Sequence, residues 1–223
     1  CSKTWNTIAY DPTITYDPPV DANNASLGPA TFNAAWFNGF NRTATVNLST
    51  SYQVKWDTNT AGTGFQSNNT IPGNGGTADT GTCGTATSAG QAAYYTVYDT
   101  TLASCTPVAT STNGCYRIVT VSSTSGPGAT DERVNFANWY SYYSNRTLVA
   151  KTAAGRAFAR LSDTIRVGYQ RLNTCNTGFG IAPTAACPGS IVKPFTGTAR
   201  TDFFTWLYAA PANNGTPLRS AFN

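Results

Sequence analysis

The stretch that decides the fold is NFANWYSYYSNRTLVAKTAAGRAFARL, Asn135 to Leu161, followed at once by IRVGYQRL, Ile165 to Leu172. In the first run Phe136, Trp139, Tyr140, Tyr143, Ala150, Ala154, Ala157, Phe158 and Leu161 recur at the spacing of a helix face, which predicts one long amphipathic helix. In the second, Ile165, Val167 and Tyr169 alternate, which predicts a strand with those three on one face. A long helix feeding directly into a strand belongs to an α/β layer arrangement. Phe136, Trp139, Phe158 and Leu161 are expected to bury on the helix side that meets the strand. Trp139, Tyr140, Tyr142 and Tyr143 invite a ligand-stacking reading, but their helical spacing favours core packing, with Tyr142 partly exposed.

Upstream, residues 1–60 read as extended, because Asp11-Pro12, Asp17-Pro18-Pro19 and Gly28-Pro29 exclude helix. Thr43 to Trp56 alternates as strands do. Residues 57–92, rich in Gly, Thr and Asn, read as a long loop. Gln91–Tyr98 and Tyr116–Ser122 suit the two strands of a hairpin, and Ser122–Ala129 is a Ser/Gly/Pro linker. Composition changes at about residue 131. Downstream of the strand lies a cysteine loop, 173–194. A second helix then runs from Thr201, a good N-cap, to Ala210, with Phe203, Phe204, Leu207 and Tyr208 apolar and Pro211 as its stop. Asn213 to Leu218 is a turn into a further helix start, with Thr216 as N-cap and Pro217 in the first helical position. The fold class is α+β: a disulfide-braced, β-rich insertion in 1–130 and an α/β core in 131–223.

The 223 residues can bury a sizeable core without help from disulfides. Only 11% are charged, and the net charge of +4 is too small to imply nucleic acid. The cations are uneven: Arg133, Arg146, Lys151, Arg156, Arg160, Arg166 and Arg171 gather around the long helix, which reads as a solvated helix face. The six cysteines have no CxxC spacing and no histidine to complete a mixed zinc site, so disulfides and an oxidising compartment are expected. Cys105 and Cys115 flank a turn-rich segment and are expected to pair. Cys175 and Cys187 bracket another loop and are expected to pair, leaving Cys1 with Cys83. Fifteen connectivities are formally open for six cysteines. No signal peptide and no membrane-spanning run is present, and a chain that opens on Cys1 without any Met reads as a piece of something longer.

Without histidine there is no Ser-His or Cys-His nucleophile pair, and GxGxxG and Walker loops are absent. Asp11, Asp17 and Asp21 sit in a Pro-rich setting as turn formers, while Asp131 and Glu132 precede the long helix and complement its dipole. The N-x-S/T sequons at Asn24, Asn41, Asn47, Asn68, Asn145 and Asn214 matter only in a eukaryotic secretory setting.

Several segments together carry a resemblance. Arg146, Ala150-Lys151, Ala153, Leu161 and Arg166-Val167-Gly168, followed by Gly215-Thr216-Pro217-Leu218, resemble the first helix, second strand and adhesion-site turn of a von Willebrand factor A domain. Tyr10-Asp11-Pro12, Tyr16-Asp17-Pro18-Pro19, Phe32, Ala35-Trp36, the run Asn135 to Tyr143, Ala150 to Ala153, Arg166 to Tyr169 and Gly215 to Leu218 are similar, in order and wording, to the PilY/PilC family of type IV pilus tip adhesins. The likeness covers nearly the whole chain, with residues 57–92 idiosyncratic. It implies a non-enzymatic adhesin at the cell surface or pilus tip, acting in pilus assembly and attachment. The implied partners are minor pilins or other pilus subunits and a host or abiotic surface. Self-association or the remainder of the same protein would complete a partial A-like core; neither nucleic acid nor membrane insertion is implied.

In the family a threonine matching Thr216 helps to bind Mg²⁺, but the Asp-x-Ser-x-Ser motif that supplies most ligands does not occur in this chain. A free-standing Thr216 is therefore expected to be empty of metal, since Mg²⁺ demands near-octahedral oxygen coordination. Two other classes of function stand beside this one. One is a self-associating filament or surface-layer subunit. The other is a secreted carbohydrate-binding or hydrolytic module, which would need two carboxylates facing a cleft.

Overall fold

The computed structural model describes Lys3 and residues 7–52, 92–105, 115–171 and 187–210. Its elements in chain order are β1 (Ala35–Trp36), β2 (Thr45–Val46), β3 (Tyr94–Tyr98), β4 (Tyr116–Thr120), α1 (Arg133–Tyr142), α2 (Arg146–Ala159), β5 (Arg166–Val167), β6 (Lys193–Pro194) and α3 (Gly197–Ala209). Thr216, Cys1, Cys83, Cys175 and residues 57–91 of the expected 57–92 loop lie outside the described residues.

The expected single helix is two. Tyr143 leaves the helical region (φ −136°), and Asn145 is extended (φ −145°, ψ 167°). The Asn145 side chain then accepts the Leu148 amide at 2.9 Å and caps α2. Ser144 donates its hydroxyl back to the Tyr140 carbonyl at 2.7 Å. The apolar register continues across this break, which is why periodicity alone reads straight through it. Asn145 is also buried, so its sequon is occupied by a structural task.

Each described sheet has two antiparallel strands. β1 pairs with β2 through Ala35↔Val46 and Trp36↔Thr45. The expected hairpin of β3 and β4 is present, running from Tyr94↔Thr120 to Tyr98↔Tyr116. The Cys105–Cys115 disulfide forms within its connection. β5 pairs with β6 through Arg166↔Pro194 and Val167↔Lys193. Of the strand expected over Ile165–Leu172, the described residues 165–171 include two that are paired, and Ile165 is 40% exposed rather than inward with Val167. Its amide turns back to Ser162 at 3.2 Å, so the chain is still leaving a turn at that point. Of the described part of Thr43–Trp56, residues 43–52, Thr45–Val46 is the strand, because Asn47 accepts the Ser49 amide and hydroxyl and starts a turn. No parallel pairing occurs among the described strands.

The third helix starts four residues before the expected cap. It begins at Gly197, whose φ of +51° suits glycine, while Thr201 lies inside the helix with its hydroxyl turned back to the Gly197 carbonyl at 3.3 Å. Phe203 and Phe204 are buried as expected; Leu207 and Tyr208 are half-buried.

Two aromatic cores replace the single helix-on-strand layer. In the first, Phe136, Trp139 and Tyr140 of α1 pack with Tyr10, Leu48, Tyr52, Tyr94 and Tyr95. Edge-to-face contacts join Tyr10 to Phe136 at 4.8 Å and to Trp139 at 5.7 Å. In the second, Phe158 and Leu161 pack around Ala159, Phe195, Phe203 and Phe204, with Tyr169 and Val167 at the margin. The four residues expected to share one face therefore divide by helix: Phe136 and Trp139 in the first core, Phe158 and Leu161 in the second. α1 also lies inside the same core as residues from 10 to 121, so the change of composition near 131 is not a gap in packing.

Candidate functional site

The feature that organises the molecule is an irregular strap, residues 8–30, clasped by all three helices through side-chain bonds to its backbone. Prolines at 12, 18, 19 and 29 keep it out of helix and, apart from an isolated Val20–Ser26 bridge, out of sheet, so most of its buried amides and carbonyls need other partners. α1 supplies them along one row. Asn135 accepts the Tyr16 amide (2.7 Å) and donates to the Ile14 carbonyl (2.8 Å). Asn138, one turn on, accepts the Ala30 amide at 2.8 Å. Ser141 accepts the Trp36 amide at 3.1 Å. Three polar residues at three-residue spacing in an otherwise apolar helix were the sequence signal for this row.

Hydroxyl and ring donors extend the clasp. Trp139 donates to the Ile8 carbonyl (2.8 Å), Tyr143 to Asp17 (2.6 Å) and Tyr142 to Gly28 (3.0 Å). Tyr142 is therefore fully buried, against the expectation of partial exposure. Its ring lies so close to Gly39 that a Cβ there would clash, which accounts for glycine at that turn.

The cations around the helices are not a uniformly solvated face. Arg156 of α2 donates to the Asp17 and Pro18 carbonyls at 3.0 Å each, with the Asp17 carboxylate 3.7 Å away. Arg200 of α3 reaches the Ala22 carbonyl (2.6 Å) and the Leu161 carbonyl (3.0 Å), and it also donates to Ala159. It thereby satisfies carbonyls that the end of α2 leaves open. Lys151 is buried and donates to the Tyr208 carbonyl at 2.7 Å. Arg42 stacks 4.2 Å over Trp36 and donates to the Leu27 carbonyl and to Tyr142.

The acidic residues hold local structure. Asp11 accepts the amide and hydroxyl of Thr13 and the Lys3 ammonium at 2.6 Å. Burial works against its charged form, but these donors outweigh it and hold its pKa below the usual carboxylate value. Asp21 accepts the Asn23 and Ala25 amides. Asp131 accepts the Arg133 amide at 3.0 Å and pairs with its guanidinium at 2.6 Å. Glu132 does more than complement the dipole: it is 4% exposed and accepts from Tyr10 (3.1 Å) and from Ser125. A shallow cleft opens beside it, between Pro12–Thr15 and Pro127, Thr130 and Asn135. Glu132 and Asp131 also line this cleft, but both carboxyl oxygens of Glu132 are hydrogen-bonded within the protein and Asp131 is paired with Arg133.

No group of three or more His, Cys, Asp or Glu side chains among the described residues is placed to hold a metal ion. Cys105 and Cys115 are paired as expected, and Cys187 is disulfide-bonded to a partner outside the described residues. No helix among the described residues is long and apolar enough to cross a membrane.

No protein-family model matches the chain, and no solved structure matches it. Curated relatives do. The chain is 33% identical over 229 aligned residues, covering 100% of its length, to type IV pilus biogenesis factor PilY1 of Pseudomonas aeruginosa strain UCBPP-PA14. It is 35% identical over 99% of its length to the protein of that name in strain PAO1, and 32% identical to that of strain PAK. The chain spans 17% of the length of each of these relatives.

Proposed function

Because this chain belongs to the PilY1 family, we propose that it is part of a non-enzymatic adhesin of the bacterial surface, acting at the pilus tip in type IV pilus assembly and attachment. The observation that carries the reading is the match itself, 32–35% identity across essentially the entire chain to proteins named for pilus biogenesis. The disulfides agree with an oxidising, extracytoplasmic setting. The absence of histidine from the whole chain removes the commonest general base. Its partners on this reading are minor pilins or other pilus subunits, and a host or abiotic surface.

A partial von Willebrand factor A-like core over 131–223 belongs to the same proposal. It is supported by the order of a helix, a strand and a further helix in α2, β5 and α3, although β5 pairs with the antiparallel β6 among the described residues. Mg²⁺ at Thr216 requires ligands beyond those of this chain. Calorimetric titration of the isolated chain with Mg²⁺ is expected to give no binding heat. Sub-millimolar binding abolished by Thr216→Ala would contradict that expectation.

The test of function is genetic. In Pseudomonas aeruginosa, the matching segment of PilY1 is deleted in one strain and replaced by this chain in another, and surface pili and attached cells are counted. The reading predicts loss of both on deletion and at least partial recovery with the replacement. Unchanged piliation and attachment after deletion would remove its basis.

A further inference from the structure

Among the described residues, the cation buried at the α2–α3 junction has no counter-anion. Lys151 is 6% exposed. Its ammonium donates to the carbonyl of Tyr208, in the last turn of α3, at 2.7 Å and lies 5.7 Å from the centre of the Phe40 ring. Phe40 in turn stacks on Tyr208 at 4.5 Å. One turn along α2, Gly155 leaves room for the Tyr208 hydroxyl, which donates to the Val20 carbonyl. The junction thus joins α2, α3, the 37–43 turn and the strap at one lysine.

No described carboxylate forms an ion pair with Lys151. Asp17 is engaged by Arg156, and Asp21 by the Asn23 and Ala25 amides. The other titratable or charged groups of the elements packed here are Tyr142 on α1, Tyr208 on α3, Arg42 in the turn, Arg156 on α2 and Arg171 after β5. Tyr142 and Tyr208 are neutral at physiological pH, since burial raises both. Arg42 is committed to Leu27 and Tyr142, and Arg156 to the strap. Arg171 acts on Lys151 with like charge.

We propose that Lys151 is a protonation-controlled latch, which makes the seating of the α3 C-terminal turn on α2 and the strap depend on pH. A buried ammonium whose described partners are one carbonyl and one ring is poorly compensated for the water it has given up. Burial first, and Arg171 second, lower its pKa to about 8, against 10.5 in an opened state. The opened state therefore binds more protons between those values, and the seated state gains on it as pH rises through 8. Below that the ammonium favours opening; above it the neutral amine sits in the junction without the charge penalty.

The full-length chain, labelled with ¹³C, is titrated by NMR from pH 6.5 to 9.5 and unfolded in urea at both ends of that range. The Lys151 Cε and Tyr208 carbonyl resonances are expected to move together, with a midpoint near 8. The unfolding constant is expected to fall about thirty-fold more in the native chain than in Lys151→Met, the value for 1.5 pH units above the midpoint. A Lys151 midpoint above 10, or a Tyr208 carbonyl that does not move, overturns the proposal on the native chain alone. An equal pH response in the Met variant does so as well.

Discussion

Asn138 shows how much one polar residue can organise. It sits on the buried side of α1 at 6% exposure, where an apolar residue would serve packing better, and it accepts the Ala30 amide. Asn138→Ala leaves that amide without its partner at a dry interface. The expected cost is about 1–3 kcal/mol, the penalty of an unsatisfied buried donor. Urea unfolding of the variant checks this, and a loss below about 0.5 kcal/mol would mean that water or another group takes over. The phenols act at the same scale. Burial, aided by the Glu132 charge, raises Tyr10 and Tyr95 far above 10, and burial raises Tyr52 and Tyr208 likewise. The unfolded chain releases these protons near pH 10 while the folded one keeps them. Stability from this source is therefore complete below pH 10 and is lost as pH rises above it. Tyrosine absorbance should show a fraction of the twelve phenols ionising only as the near-UV circular dichroism collapses. All twelve titrating near pH 10 with the dichroism intact would contradict these raised values.

Among the elements, the β3–β4 hairpin and the identity of Phe136, Trp139 and Phe158 as helix residues directed inward were legible in the sequence, because both rest on local periodicity; Leu161 also packs inward, but just past the end of α2. Their partners were not. The apolar face continues through Ser144 and Asn145, so the break into α1 and α2 shows only in a capping pair that periodicity ignores. The short β5 could not be recognised either: Ile165 and Val167 alternate correctly, yet hydrogen bonds with β6 involve only two residues, and the turn at Ser162 reaches Ile165. The division of the helices between two cores has a measurable consequence. Phe136 is fully buried among Tyr10, Tyr52 and Trp139, whereas Phe158 is half-buried against Phe195 and Phe203. Phe136→Ala should cost about 3–5 kcal/mol, and Phe158→Ala less, since part of its ring is already hydrated. The two sites share no ring partner, so the double variant should be additive within about 0.5 kcal/mol. A strong coupling would restore the single-face packing that the sequence pattern suggested.

At the scale of the whole molecule, the strap is the part that sequence reading did not reach. Its prolines and turn-forming aspartates correctly exclude helix, but they do not say what an extended segment lies upon. The answer is spread over distance: Asn135 meets Tyr16 across 119 residues, Arg156 meets Pro18 across 138, and Arg200 meets Ala22 across 178. Side-chain bonds to backbone carry no periodic signal, so only the row Asn135, Asn138, Ser141 hinted at them. The strap spans both cores, touching α1 at Ile8, Ile14, Tyr16 and Ala30, α2 at Asp17 and Pro18, and α3 at Val20 and Ala22. In a chain whose described sheets have two strands each, this segment bonds to all three described helices, beside the direct packing of α3 on α2 in the second core. The candidate adhesion-site threonine, Thr216, was legible only through family resemblance and lies outside the described residues. The site's chemistry therefore rests on proposal, while the clasp rests on geometry.

Native-state hydrogen exchange on residues 8–36 tests that clasp most directly. The amides of Tyr16, Ala30 and Trp36, each bonded to a side chain of α1, should exchange as slowly as amides within α1 itself, and Ala30 should lose that protection in Asn138→Ala. Exchange of all three at the rate of an unstructured peptide, while α1 stays protected, would contradict the clasp of α1 on the strap and on β1.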